Sequence, residues 1–286
     1  MKPLSECTVA VVGLGLMGGS LAGALRGSCR AVLGVARRPG TAARAERLRL
    51  VDQGTTDETL ALPQADAVIL ATPVRTIIRQ LDRIPPLLRR GCLVMDLGST
   101  KAQIAAAMAQ LPPHVHPLGG HPMCGKETSG IEAADPTLYR NRTFILTPLD
   151  RTPDEAVTLG RSIVAAAGAR PLILDPIRQD RLAATLSHLP YLLACALVLT
   201  ADATTSKDPA AWEIVASGFR DTTRVAGSNV TMMLDILLTN REAVLEAAST
   251  FRTVFDELIG LTSDASEAPL RASLKASRKE RRRMFP

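Results

Sequence analysis

An α/β fold is predicted for this 286-residue chain on three observations. Short β-branched runs alternate with helical stretches from Thr8 to Asp175, a glycine cluster follows the first run directly, and beyond Pro176 the alternation gives way to long apolar helices. Strands alternating with helices imply right-handed crossovers and a parallel sheet. The composition, 46% hydrophobic with only 3% aromatic, suits strands packed on both faces by aliphatic side chains. At this length two domains are the expectation: residues 1–175 form a dinucleotide-binding α/β domain and residues 176–286 an all-α domain.

The elements justify this in order. TVAVVGLGLMGGSLAGALR, from Thr8, reads as strand, tight turn and helix. A second strand follows at AVLGV from Ala31, then a helix at AARAERLRLV, a strand in DAVILATP around Val68, and another in GCLVMDLGS from Gly91. HVHPLGG, RTFILTP and RPLILD add three more, the last ending at Asp175 after a helix in DEAVTLGRSIVAAAGA. The rest is helical, from RQDRLAATLSHLPYLLACALVLTA to REAVLEAASTFRTVFDELIGLTS, with TSKDPAAW from Thr205 as a polar connector.

Gly13, Gly15 and Gly18 form G-x-G-x-x-G between a strand and a helix, the Rossmann fingerprint. The first glycine permits the turn, the second lets backbone approach a pyrophosphate, and the third lets helix and strand pack closely. Leu14, Leu16 and Met17 complete the binding loop. The second strand of such folds often ends in an acid that holds the ribose 2′-hydroxyl of NAD, but here it leads into Ala36, Arg37 and Arg38. Two guanidiniums match a 2′-phosphate, so NADP is the expected preferred cofactor, with NAD as a poorer one.

The net charge of +6 resides mostly in KASRKERRRMFP, residues 275–286, which carries six basic side chains and one acid. This run reads as a solvated, frayed tail, and nucleic acid is not an expected partner, because no basic stripe interleaves with aromatics. Five scattered cysteines with no C-x-x-C pair, and an N-terminus without secretory order, point to a reduced cytoplasm. The longest apolar run, from Leu189, contains Pro190 and is shorter than a bilayer span, so a buried core helix is expected and a membrane is not. No metal site is expected.

Catalytic candidates gather at the C-terminal edge of the strands, where such folds bind ligands. Ser99 and Lys101 follow one strand, and His121 follows another that ends at Gly119 and Gly120, which clear space beside it. A histidine there is a candidate general base, a role that suits a near-neutral pKa. His188 lies in a helical stretch, as either a core histidine or a pocket residue. Gly218, Arg220, Asp221 and Arg224 cluster in SGFRDTTR, as either a surface ion-pair group or an anion site.

These residues carry a resemblance. VVGLGLMGGSLA, ATPV, DLGSTK, LGGHPMCGKETSG, SHLP and GFRDTTRVAGS, in order and spacing, resemble the prephenate/arogenate dehydrogenase family of tyrosine biosynthesis over nearly the whole chain. The resemblance implies oxidative decarboxylation of a cyclohexadienyl substrate with hydride transfer to NAD(P). It makes His121 the base for the 4-hydroxyl, with Ser99 orienting both partners. It places Arg224 on the ring carboxylate, His188, Gly218 and Asp221 at the substrate, and Thr72 and Pro73 of ATPV at the cofactor. It also makes the helical half a homodimerisation domain. Met233 stands where some prephenate-using members have tryptophan, and the reading covers both prephenate and arogenate. A 3-hydroxyacid or imine reductase shares the fingerprint but lacks the GGHPM and GFRD-x-TR pair.

Overall fold

The computed structural model describes residues 1–126 and 128–285. Its contacts divide the chain into two compact units, residues 1–240 and 241–286. The first is built on an eight-stranded sheet: β1 (Thr8–Val12), β2 (Ala31–Val35), β3 (Gln53–Thr55), β4 (Ala67–Leu70), β5 (Leu93–Asp96), β6 (His116–Pro122), β7 (Thr143–Pro148) and β8 (Arg170–Ile173). The spatial order is β3-β2-β1-β4-β5-β6-β7-β8.

Side-chain alternation along β1 shows how the sheet is covered. Val9 and Val11 face a layer containing Leu21 and Leu25 of helix Leu16–Leu25, with Leu159 and Ile163 of helix Asp154–Ala166. Ala10 and Val12 face Ile77 and Leu81 of helix Val74–Arg83, with Ile104 and Met108 of helix Ala102–Ala109. Every residue of β1 is buried, as a central strand with helices on both faces requires.

The sheet departs from the expected parallel arrangement at one junction. β1 to β6 are parallel, but β7 runs antiparallel to β6, and β8 is parallel to β7. A parallel crossover uses a helix; between β6 and β7 the described chain holds only the short 3₁₀ turn Ile131–Ala133. β3, a three-residue strand without an apolar run, was not anticipated.

From Pro176 onward the chain is helical. Helix Pro176–Ala183 passes through a π turn, Ala184–His188, into helix Leu189–Thr205. Pro190 has no N–H to give to the carbonyl four residues back, and the Leu189 N–H bonds Ala184 five residues back, so the helix widens here rather than breaking. Two expectations are corrected as a result. The helix carrying the apolar run is continuous over Pro176–Thr205, and its 30 residues contain a window apolar enough to cross a bilayer by length and composition, only 33% of which is buried. Leu186 and Leu199 are among its exposed side chains, so this is not a wholly buried core helix. Helices Ser217–Thr223 and Val230–Thr239 complete the first unit.

The second unit consists of helices Arg241–Ser263 and Glu267–Met284. The basic C-terminal run is therefore a solvated helix, not a frayed tail. Glu267 pairs with Arg271 one turn on and Glu280 with Arg283, spacings that support an exposed helix.

Candidate active site

A cavity of about 620 Å³ opens at the C-terminal ends of β1, β4, β5 and β6, within the size range of small-molecule sites. One end is the glycine turn. Gly13 has φ of 103°, which disfavours any side chain, and a Cβ at Gly18 would stand 1.9 Å from the Gly13 carbonyl oxygen. A Cβ at Gly15 would meet nothing within 4 Å and would project into open space beside helix Leu16–Leu25, whose N-terminus has no side-chain cap. This cradle fits a dinucleotide pyrophosphate, which takes hydrogen bonds from first-turn N–H groups. Gly15, Leu16, Met17, Thr72 and Pro73 line it. The Thr72 hydroxyl is fixed by donating to Gln80 at 2.6 Å. Leu14 contributes only backbone, since its side chain is buried against Gly34. Arg37 and Arg38 stand exposed just after β2 and are not part of the cavity wall.

Ser99, His121, His188 and Arg224 all line the same cavity, so residues spread over 126 positions of sequence share one wall. Gly218 and Asp221 do not: they lie on the exposed helix Ser217–Thr223. Ser99 is not the helix N-cap; the cap position belongs to Lys101. His121 is not on a loop past its strand but inside β6, paired with Ile145 of β7, and it is 8% exposed. The two preceding glycines are required by packing. A Cβ at Gly119 would lie 2.0 Å from the Thr147 hydroxyl, and one at Gly120 would lie 2.5 Å from the Asp96 carbonyl.

Burial, followed by the nearby charges of Lys101 and His188, pulls the His121 imidazole from 6.5 down to about 3. The near-neutral value expected from sequence is thereby corrected, because a strand position under a helical layer removes water from the ring. His121 is neutral throughout the physiological range. Its Nδ1 lies 3.2 Å from Nε2 of Gln179, which leaves ring atom Nε2 for a ligand. Burial likewise draws His188, 1% exposed in the π turn, down to about 4. Its Nδ1 lies 3.2 Å from Nδ2 of Asn240.

Beneath the site is a network that sequence reasoning missed. The Asp96 carboxylate accepts from the backbone of Gly98 at 2.7 Å and of Gly120 at 3.1 Å, and from the fully buried Lys101 ammonium. It thus ties the loop carrying Ser99 to the strand carrying His121. Burial drives Lys101 toward losing its proton and Asp96 toward keeping one, while the contact between them draws both back to the ionised pair. Asp180 caps the start of helix Ala102–Ala109 from another element, accepting from the backbone N–H of Lys101 at 2.6 Å and of Ala102 at 2.8 Å. Asp235 joins helix Val230–Thr239 to the start of helix Val74–Arg83, accepting from Arg75 Nε at 2.5 Å. No local pattern announces the partners of Asp180 and Asp235, which lie 78 to 160 residues away.

Sheet, glycine cradle and cavity define a nicotinamide-dependent oxidoreductase. Residues 21–173 match the family described as "Prephenate dehydrogenase, nucleotide-binding domain", and residues 175–276 match "Prephenate dehydrogenase, dimerization domain". The prephenate dehydrogenase of Bacillus subtilis is 32% identical over 84% of this chain, which spans 66% of that relative's length. The cyclohexadienyl dehydrogenase of Zymomonas mobilis is 31% identical over 85% of this chain and 84% of its own. Among solved structures, the prephenate dehydrogenase of Aquifex aeolicus with hydroxyphenyl propionate and NAD+ is 31% identical, with a TM-score of 0.91 over 99% of this chain and 100% of that one. Synechocystis arogenate dehydrogenase is 32% identical, with a TM-score of 0.85 over 97% and 100%. The chain belongs to the prephenate dehydrogenase family.

Proposed function

We propose that this chain oxidatively decarboxylates prephenate or arogenate. The observation that carries this reading is the convergence of Ser99, His121, His188 and Arg224 on the cavity that also holds the glycine cradle. A dinucleotide whose pyrophosphate is held by that cradle would supply, through its nicotinamide, the hydride acceptor. His121 Nε2 takes the proton of the substrate's 4-hydroxyl as C4 gives up hydride. The carbon–carbon bond to the ring carboxylate then breaks, carbon dioxide leaves, its electron pair aromatises the ring, and His121 returns the proton to the phenolate. Near the Lys101 charge an imidazolium is costly, and a substrate carboxylate seated beside it offsets that cost. Ser99 orients the hydroxyl and His121, Arg224 anchors the ring carboxylate, and His188 borders the side chain. Gly218 and Asp221 shape that end through helix Ser217–Thr223 and not by lining the cavity.

We further propose that NADP is preferred over NAD, on the strength of Arg37 and Arg38 and of Ala36 where an acid would repel a 2′-phosphate. The boundary between cofactor and substrate halves is placed at residues 175 and 176, where Asp175 caps helix Pro176–Ala183. The exposed apolar side chains of helix Leu189–Thr205 are read as a homodimer surface rather than a membrane span. A two-by-two assay of prephenate and arogenate with NAD and NADP tests the function; no turnover of either substrate with either cofactor would sink it.

A further inference from the structure

Both cavity histidines receive a primary amide at Nδ1, but the two amides are held differently. Asn240 Nδ2 donates to the Asp180 carbonyl at 2.7 Å, and the same nitrogen faces His188 Nδ1 at 3.2 Å. That carbonyl fixes which end of the amide is nitrogen, so His188 Nδ1 accepts and its proton sits on Nε2. His188 therefore presents a donor to the cavity. Gln179, on helix Pro176–Ala183 and 1% exposed, has no such anchor. Its Nε2 lies 3.2 Å from His121 Nδ1 and 3.5 Å from the Ser99 carbonyl, the outer limit of a hydrogen bond, while its buried Oε1 has no hydrogen-bond partner.

With Nε2 facing it, His121 Nδ1 is obliged to accept, and the ring proton is driven to Nε2, where it blocks proton uptake. A half-turn of the amide about its last side-chain bond keeps the same shape and exchanges the two ends. Oε1 then accepts from Nδ1–H, and the lone pair of His121 Nε2 faces the cavity.

We propose that Gln179 is the positioning residue that selects the His121 tautomer, its Oε1 accepting Nδ1–H so that Nε2 serves as the base. This rests on the reading of His121 as base. The two amides then give one wall opposite functions, a donor at His188 and an acceptor at His121. An amide also suits the site better than the carboxylate of a Ser-His-Asp triad, because Asp96 and Asp180 are already buried nearby and a third buried anion is expensive.

The test uses full-length enzyme with ¹⁵N-labelled histidine and NAD bound, whose imidazole ¹⁵N shifts report which ring nitrogen carries the proton. His121→Asn and His188→Asn assign the signals. Wild type is expected to show Nδ1–H at His121 and Nε2–H at His188. Gln179→Met should move His121 toward Nε2–H and lower kcat by about tenfold or more, because a wrong tautomer disables a histidine base. Gln179→Glu keeps an acceptor at Nδ1. It should restore the Nδ1–H signal, turn over faster than the Met variant, and move the acid limb of kcat/KM upward, since a carboxylate favours the imidazolium. A wild-type His121 carrying its proton on Nε2, or a tautomer unchanged in Gln179→Met, overturns the proposal. If His121→Asn leaves kcat intact while the tautomer follows Gln179, the base assignment fails and the positioning by Gln179 stands.

Discussion

Acidification tests the burial of the two histidines without reference to catalysis. An imidazole in the unfolded chain titrates near 6.5, whereas His121 and His188 are held to about 3 and about 4 by burial. The unfolded state binds more protons in the interval, so each histidine contributes stability that is complete above pH 6.5 and is lost as pH falls toward the folded values. Between pH 7 and pH 5 the folded rings stay neutral while unfolded ones protonate, and the linkage integral is about 2 kcal/mol per histidine, about 4 kcal/mol for the pair. That figure barely depends on whether the folded value is 3 or 4. Asp96 and Asp180, raised by burial, act in the opposite sense, so the clean measurement is a difference that cancels them. Urea unfolding at pH 7 and pH 5 should show the pH dependence reduced by about 2 kcal/mol in His121→Asn and again in His188→Asn. Identical pH dependence in wild type and both variants would show that the rings protonate in the folded protein, and the burial argument would be wrong.

The same depressed value predicts that the acid limb of kcat/KM falls well below pH 6.5, and an inflection near 6.5 that disappears in His121→Asn would refute this. His121→Asn itself should lower kcat by about 10²-fold or more while leaving cofactor affinity in place, measured by turnover and by NAD titration. Arg224→Ala should raise the apparent substrate constant about tenfold or more, toward the low end for a lost charge partner because Arg224 is exposed at the cavity wall; a change confined to thermal stability makes it a structural residue. Arg37→Ala with Arg38→Ala should weaken NADP binding by about tenfold at low salt and hardly touch NAD, with the difference shrinking as salt is raised. Sedimentation at micromolar concentration should show a dimer, and a fully active monomer would refute the surface assigned to helix Leu189–Thr205.

Much of the sheet was legible because buried parallel strands are written as aliphatic runs. VAVV, AVILA and LVMD each name a strand, and the glycine spacing names the turn at Gly13. β3 was hidden because Gln53–Thr55 has no apolar side chain and pairs through backbone alone, with Gly54 packed against Ala42. The reversal at β7 was hidden because the link after Pro122 is long enough for either sense of connection. Residues contributed by a strand end or by a motif, Ser99 and His121, could be found. Gln179, Asp180 and Asn240 could not, because in sequence they are unremarkable polar positions of helices and their meaning lies in partners 52 to 80 residues distant.

Those hidden residues also explain why the cavity has one shape. Asp96 holds β5 to β6 through the Gly120 N–H and reaches the start of helix Ala102–Ala109 through Lys101, and Asp180 holds that start through two N–H groups from the helical side. The segment bearing Ser99 is thus gripped from both faces by carboxylates whose own charge is burdened by burial. Asp180→Ala leaves the N–H groups of Lys101 and Ala102 at the start of helix Ala102–Ala109 without an acceptor, which costs about 2 kcal/mol, and leaves Lys101 leaning on Asp96 alone. The stability loss should therefore be accompanied by weaker turnover with little change in NAD affinity, since the glycine cradle at Gly13–Gly18 lies outside this network. Equal loss of cofactor binding and turnover would mean that the whole sheet edge relaxes, and that Asp180 supports the fold rather than the placement of Ser99.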